Sequence, residues 1–385
     1  MKRPGRTALL LALMLSLPTL VQAAGSPPVS ATVLTYHIVQ SPNDTRMAIT
    51  RESFRLQIEY LASSGYEVIP LSELMDYVAG KIDSLPPNPV VITVDDGYRS
   101  TYSEVFPVMK QFGFPFTIFI YPQFIGQGHY ALTWDEIREM SNAGVDVESH
   151  TWSHAWLPHR FHEEMSADDY SAWLVHELRG SKKKIEDETG RIVRYLAYPY
   201  GTYDSTVVKA LDDAGYDAGL TSNYGVVTKN ADPFRINRVA VYSDTSFFAF
   251  RMHLGNVPMH LAGASPRPGG ELDPDEPVIE ARIRNFSRLD PSTVRMALIG
   301  TGPMASSYDP KSGHISFVVR EPLPKADQQV LVWGRGRDNG KRYEGIWTFH
   351  SVSDTSSSDL SEASRGGQPM STVPARTARL QSPEK

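Results

Sequence analysis

The chain has 385 residues, of which 41% are hydrophobic and 21% charged, a globular composition that excludes a wholly disordered or fibrous protein. With 38 basic against 44 acidic residues the formal charge is -6, so there is no electrostatic case for a nucleic-acid partner. Cysteine is absent. That excludes disulfides, thiolate metal sites and a cysteine nucleophile, and leaves any metal to His, Asp or Glu.

Lys2, Arg3 and Arg6 precede an apolar run over residues 7–21, and Val21-Gln22-Ala23 offers small residues at a cleavage position. The run falls short of the ~20 residues a spanning helix needs. Residues 1–23 therefore read as a cleaved signal peptide rather than a membrane anchor, and the product as exported, either periplasmic or secreted.

From residue 31 onward, strand and helix patterns alternate. Residues 31–39 are rich in β-branched side chains, and Phe54, Ile58 and Leu61 then recur at helical spacing behind Thr50. Strand signal at 66–70 and helix signal at 72–78 lead to Val90-Val91-Ile92-Thr93-Val94, a run apolar enough for a strand buried on both faces. Helix over 102–112, strand over 116–121, helix over 133–143 and strand over 145–149 follow. A long helix over 166–189, strand over 193–198, helix over 206–214 and strands near 218–221 and 238–242 complete the series. Such an order predicts an α/β fold, with helices wrapped around a parallel sheet or a distorted barrel.

The Pro- and Gly-rich stretch 256–276 reads as a linker. Beyond it, short strand-like runs at 278–283, 293–299, 314–319, 329–334 and 346–352 predict a small all-β domain over 277–352, an immunoglobulin-like sandwich. Residues 356–385 are rich in Ser, Pro, Gly and charge, and read as a disordered tail.

Three strand ends carry polar chemistry. Val94-Asp95-Asp96-Gly97-Tyr98 places two carboxylates and a turn glycine after the most apolar strand, at the edge where α/β folds build their sites. Ser149-His150-Thr151-Trp152-Ser153-His154 follows a strand two β-α units later. Its two histidines, four apart, can chelate one divalent ion with an Asp as third ligand. Tyr198-Pro199-Tyr200-Gly201 ends a further strand. Each is by itself also readable as a turn or a surface pair; their order along one rim argues for a site.

These three segments resemble the first motifs of the NodB-like polysaccharide deacetylases, carbohydrate esterase family four, over about residues 31–255. The resemblance implies Asp95 as catalytic base and Asp96, His150 and His154 as ligands of a divalent metal, zinc in the first place, with cobalt, nickel or iron as alternatives. It implies Tyr200 as the oxyanion donor through its backbone N–H. Two departures stand out. The domain ends with Met252-His253-Leu254 instead of the usual Leu-x-x-His, while Thr35-Tyr36-His37 resembles the biofilm poly-N-acetylglucosamine deacetylases, a circularly permuted branch whose acid histidine comes early. His37 is therefore preferred to His253 as the acid, a buried strand histidine bonded to backbone being the alternative. Ala197 stands where many members have an Arg that orients the base, and Arg238 is a candidate substitute. Tyr98, Trp134 and Pro199 are placed on the substrate side, the two aromatic rings as walls of a sugar groove or else as core. His159 and His162 read as a solvated loop.

The function expected is metal-dependent removal of N-acetyl groups from a β-linked amino-sugar polymer. The same chemistry on peptidoglycan, chitin oligomers or acetylated xylan is an alternative, and a non-catalytic glycan-binding protein is one of another class. The β domain is open to a spacer, carbohydrate-contact or partner-docking role in the cell envelope or exopolysaccharide.

Overall fold

The computed structural model describes residues 30–40, 45–273, 275–299, 302–323 and 327–351. The expected signal peptide and tail lie outside these residues. The chain divides into two units, one ending at Pro258 and the other starting at Met259.

In the first unit eight strands form one parallel sheet: β1 (Thr32–Tyr36), β2 (Glu67–Val68), β3 (Pro89–Asp96), β4 (Thr117–Ile120), β5 (Asp146–Ser149), β6 (Tyr195–Ala197), β7 (Ala218–Leu220) and β8 (Val239–Ala240). Their spatial order is β8-β1-β3-β4-β5-β6-β7, with β2 beside the start of β3. Ile236 bridges Leu220 on one edge, and Val239 and Ala240 pair with Leu34 and Thr35 on the other. One short segment thus spans the gap between the two edges, and the sheet curls into the distorted barrel expected from the β-α alternation.

Alternation along the strands sorts the side chains. Leu34, Tyr36, Ile92, Val94, Ile118 and Ile120 pack outward into a core shared with helices such as α1 (Arg51–Ser63). Val33, Val91, Phe119, Tyr195, Ala197 and Leu220 point the other way, into a second core that includes Leu71, Leu74 and Met75 of α2 (Leu71–Val78). By the same period of two, Thr35, Thr93 and Asp95 share the second face. The remaining helices are α3 (Phe106–Phe112), α4 (Trp134–Asn142), α5 (Ala167–Val175), α6 (Ser181–Thr189), α7 (Ser205–Asp213) and α8 (Phe247–Leu254). Thr50 caps α1 by accepting from the Ser53 N–H, and Thr133 with Glu136 forms a reciprocal capping box on α4.

Two expected elements differ in detail. The strand predicted over 31–39 breaks at His37, between β1 and a short strand at Ile38–Val39. The long helix predicted over 166–189 is α5 and α6 joined by a π-helical turn, His176–Gly180. Such turns reposition side chains that a regular helix would carry past their target; here the side chain is that of Glu177.

The second unit is all β. Strands β9 (Leu261–Ser265), β10 (Val278–Ile283), β14 (His314–Val318) and β13 (Ser307–Asp309) make one antiparallel sheet in that order; the other contains β16 (Arg342–His350), β15 (Asp327–Arg335), β11 (Arg295–Leu298) and β12 (Gly302–Pro303). Ile279, Ile315, Met296, Val332 and Phe349 from both sheets share one core. The linker expected over 256–276 is corrected for Leu261–Ser265, which pair with β10. Pro258 and Pro266 flank this strand and Gly263, at φ 59°, lies inside it, which masked its pattern.

Candidate metal centre and active site

The tightest polar cluster lies at the C-terminal ends of β3 and β5. One ligand atom each from Asp96, His150 and His154 lie within 4.8 Å of one another, the one such group of three among the described residues. The two imidazole Nε2 atoms stand 3.4 and 3.3 Å from Asp96 Oδ1. His150 Nδ1 is 2.7 Å from the Ala197 carbonyl; a carbonyl only accepts, so Nδ1 carries the proton and Nε2 turns its lone pair to Asp96. Asp96 Oδ1 is buried with no hydrogen-bond partner. An orphaned buried carboxylate oxygen faced by imidazole nitrogens is the donor set of a divalent cation.

Electrostatics favour positive charge at this point. Burial raises the Asp96 carboxyl, but the close His150 and His154 imidazoles and the nearby His37 outweigh it and hold it well below the usual carboxylate range. Burial lowers His150, yet Asp96 and Asp95 pull it above its ordinary value.

Asp95 faces the other way from Asp96 and is also buried. Arg238 meets it with two hydrogen bonds, Nη1 to Oδ1 and Nη2 to Oδ2, both 2.8 Å, while its Nε donates to the Thr221 carbonyl at 2.9 Å. The fork-to-fork geometry fixes the carboxylate plane. Burial pushes Asp95 up, but Arg238, with His150 and His37, brings it below the usual range. Arg238 is thus where a substitute for the missing arginine at position 197 would have to be. Ala197 and Phe119 line the same inner face, and the Phe119 ring lies 5.7 Å from the guanidinium carbon.

Backbone strain marks the same place. Of the five non-glycine residues with positive φ among those described, Asp96, Thr151, His154 and Tyr200 belong to the site, and only Asn88 does not. Such conformations cost about 1–3 kcal/mol each and persist where the surroundings over-determine them. Gly97 takes φ 88°, a left-handed conformation that glycine adopts without the strain an L side chain would carry, so the turn after Asp96 favours glycine. A residue that sequence reasoning missed holds the histidine loop: buried Glu177 accepts from the Trp152 and Ser153 N–H groups at 3.0 Å each and from Ser153 Oγ at 2.7 Å. Its signal was hidden by the π turn, which no helical periodicity predicts.

His37 senses Asp96, Asp95, Arg238 and His150; burial lowers its pKa, and the two carboxylates work against that. Its Nδ1 is buried without a hydrogen-bond partner, unlike a structural strand histidine tied to backbone. His253 is elsewhere, on α8, with Nδ1 2.7 Å from the Tyr224 hydroxyl. Tyr200 presents its ring 4.6 Å from His154 and directly follows Pro199 in a short 3₁₀ turn. Burial, with Asp96 and Tyr200 nearby, pushes the Tyr98 hydroxyl up to about 12. Trp134 is placed differently from its expected groove role: at the start of α4 it packs on the outer core with the Lys184 ammonium 5.4 Å from its ring, in the helix layer. His159 and His162 contact Tyr170 and Trp173 and do not join the metal cluster.

Residues 83–219 match the polysaccharide deacetylase family. The putative polysaccharide deacetylase YxkH of Bacillus subtilis is 28% identical over 231 residues, covering 60% of this chain and 78% of its own. The poly-beta-1,6-N-acetyl-D-glucosamine N-deacetylase of Staphylococcus epidermidis is 29% identical over 203 residues, covering 51% of this chain and 69% of its own. Among solved structures, IcaB from Ammonifex degensii superposes with a TM-score of 0.50 at 28% identity, over 57% of this chain and 94% of that one. Its motifs gather at one barrel rim, and residues 83–219 carry a polysaccharide deacetylase domain.

Proposed function

We propose that the protein is an exported, divalent-metal-dependent N-deacetylase of a β-linked amino-sugar polymer such as poly-N-acetylglucosamine. The observation that carries this reading is the buried Asp95–Arg238 pair standing directly beside the Asp96, His150 and His154 donor set. The Staphylococcus epidermidis relative, named for that polymer, supports the substrate class.

Asp96, His150 and His154 would hold the ion, which when bound supplies Lewis acidity toward the acetamide carbonyl and acidifies water. Asp95, kept ionised and oriented by Arg238, takes the proton of the attacking water. The Tyr200 N–H is assigned to the developing oxyanion. His37, on the β1 side of Asp95, returns a proton to the leaving nitrogen; its burial makes an imidazolium there a stronger acid than in water. Pro199 fixes the turn that presents Tyr200. Zinc is the ion proposed first, and cobalt, nickel and iron suit the same three donors.

The β unit is read as an immunoglobulin-like sandwich that docks polysaccharide or an envelope partner, a reading supported by its two antiparallel sheets and single shared core. The function is tested by acetate release from poly-N-acetylglucosamine, chitin oligomers, peptidoglycan and acetylated xylan. Turnover of the first is expected, and Asp95→Asn should abolish it while metal content is kept. Exclusive release from xylan, or an Asp95→Asn variant with normal turnover, would overturn the assignment.

A further inference from the structure

Two features beside the metal centre enter the chemistry above only through the backbone of Tyr200. The first is a cavity of about 220 Å³, lined by Val39, Arg51, Tyr98, Ser103, Glu104 and Tyr130 among others. Its walls come from the segments that follow β1, β3 and β4. The second is a ledge of rings on the opposite flank, after β5 and β6. There Trp156 stacks on Tyr200 at 4.0 Å and 7°, and Phe161 sits 4.9 Å from Trp156. Sheet order places β3 and β5, which carry the metal ligands, between the outer walls of these two features.

The cavity is chemically built for a neutral sugar ring. Arg51 meets Glu104 at 2.8 Å and Arg99 meets Glu136 at 2.9 Å, so the charges on its wall cancel. An anionic sugar or phosphate would find no unpaired cation among these groups, whereas the paired guanidinium and carboxylate, with the Ser103 hydroxyl, offer donors and acceptors to ring hydroxyls. Tyr98 forms one wall and, from its place beside Asp96, joins the cavity to the metal centre. Tyr130, 64% exposed, supplies an apolar face at the outer end. The volume lies below the ~300–1,000 Å³ of sites for drug-sized ligands, which suits a single ring.

On the other flank a line of ring contacts runs from Tyr121 to His154, Tyr200, Trp156 and Phe161. Phe161 is 43% exposed and Tyr200 51% exposed. Exposed aromatic faces continuous with a metal ligand suit the apolar face of a pyranose.

Resting on the proposed function, we propose that the polymer occupies both flanks at once, one neutral amino-sugar ring in the Tyr98–Tyr130 cavity and another on the Trp156–Phe161 ledge. The acetyl group removed is then that of an interior unit, and chain ends are poor substrates.

The test uses the full metal-loaded protein and β-1,6-linked N-acetylglucosamine oligomers of two to six units. Mass-spectrometric sequencing locates the lost acetyl group, and binding of the pentamer is measured on Asp95→Asn alone and combined with Tyr130→Ala or Phe161→Ala. Interior deacetylation is expected, with each added substitution weakening pentamer binding about tenfold, the loss of one stacking contact. Loss of acetyl only at a terminal unit, or pentamer binding unchanged by both substitutions, would overturn the two-flank path. Pentamer binding that depends on Tyr130 and Phe161, together with no acetate release under any of the four metals, would instead sink the deacetylase reading and leave the path standing.

Discussion

Arg238 grips Asp95 from 143 residues downstream, through two hydrogen bonds of 2.8 Å inside the barrel. The pair is buried on both sides, so its worth lies in geometry and in the charge state of Asp95 rather than in net stability. Arg238→Lys should keep the charge and lose the fork, lowering kcat about tenfold to a hundredfold. Arg238→Met should remove the main charge that holds Asp95 below the usual range, so the acid limb of the pH–rate profile moves to higher pH. An unmoved acid limb in Arg238→Met would show that Arg238 does not govern the base.

The choice of acid follows from the same rim. His37 feels both carboxylates and Arg238, whereas His253 is occupied with Tyr224 on α8. His37→Ala is expected to lower kcat by about 10²–10⁴-fold, the usual contribution of a positioned acid. His253→Ala should lower it less than about tenfold. Steady-state kinetics on one polymer preparation checks both, and the reverse ranking would transfer the role.

Glu177 holds the loop between the two ligand histidines with three hydrogen bonds. Glu177→Ala takes away the acceptor that both backbone N–H groups share, Oε2, and that of the Ser153 hydroxyl. Metal affinity should fall about 10–100-fold, as for other outer partners of ligand histidines. Competition with a chromophoric chelator measures it, and Glu177→Asp should restore part of the loss.

The barrel's β-α order and its three motif-bearing strand ends were legible because strands such as β3 and β4 are largely apolar runs and each motif sits where a strand stops. Asp96, His150 and His154 converge as their positions predict. Other features were hidden for physical reasons. Arg238 was readable only as a candidate, because it immediately precedes a weak two-residue strand and nothing local marks its reach across the barrel to Asp95. The π turn that aims Glu177 has no periodic signature. Leu261–Ser265 was lost among prolines and glycines, and Trp134 has the residue type of a groove wall but the position of a helix start, which sends it into the layer between α4 and α6.

Glu148 is a carboxyl with no role in the chemistry, buried within β5 and accepting the Arg194 and Tyr195 N–H groups on one oxygen at 2.8 and 2.7 Å. Burial, reinforced by Asp146, pushes its pKa well above the ordinary value despite those two bonds. A carboxyl raised on folding contributes stability that is fully present below its unfolded pKa and is lost as pH rises through the folded one. Glu148→Gln keeps an oxygen for both N–H groups and cannot ionise. The variant should therefore gain on the parent as pH rises from the unfolded pKa to the folded one, by up to about 1.4 kcal/mol per pH unit in that window, and level off above it. Urea unfolding of both proteins from pH 4 to pH 9 tests this. A constant difference between them across that range would mean that folding does not raise the Glu148 pKa.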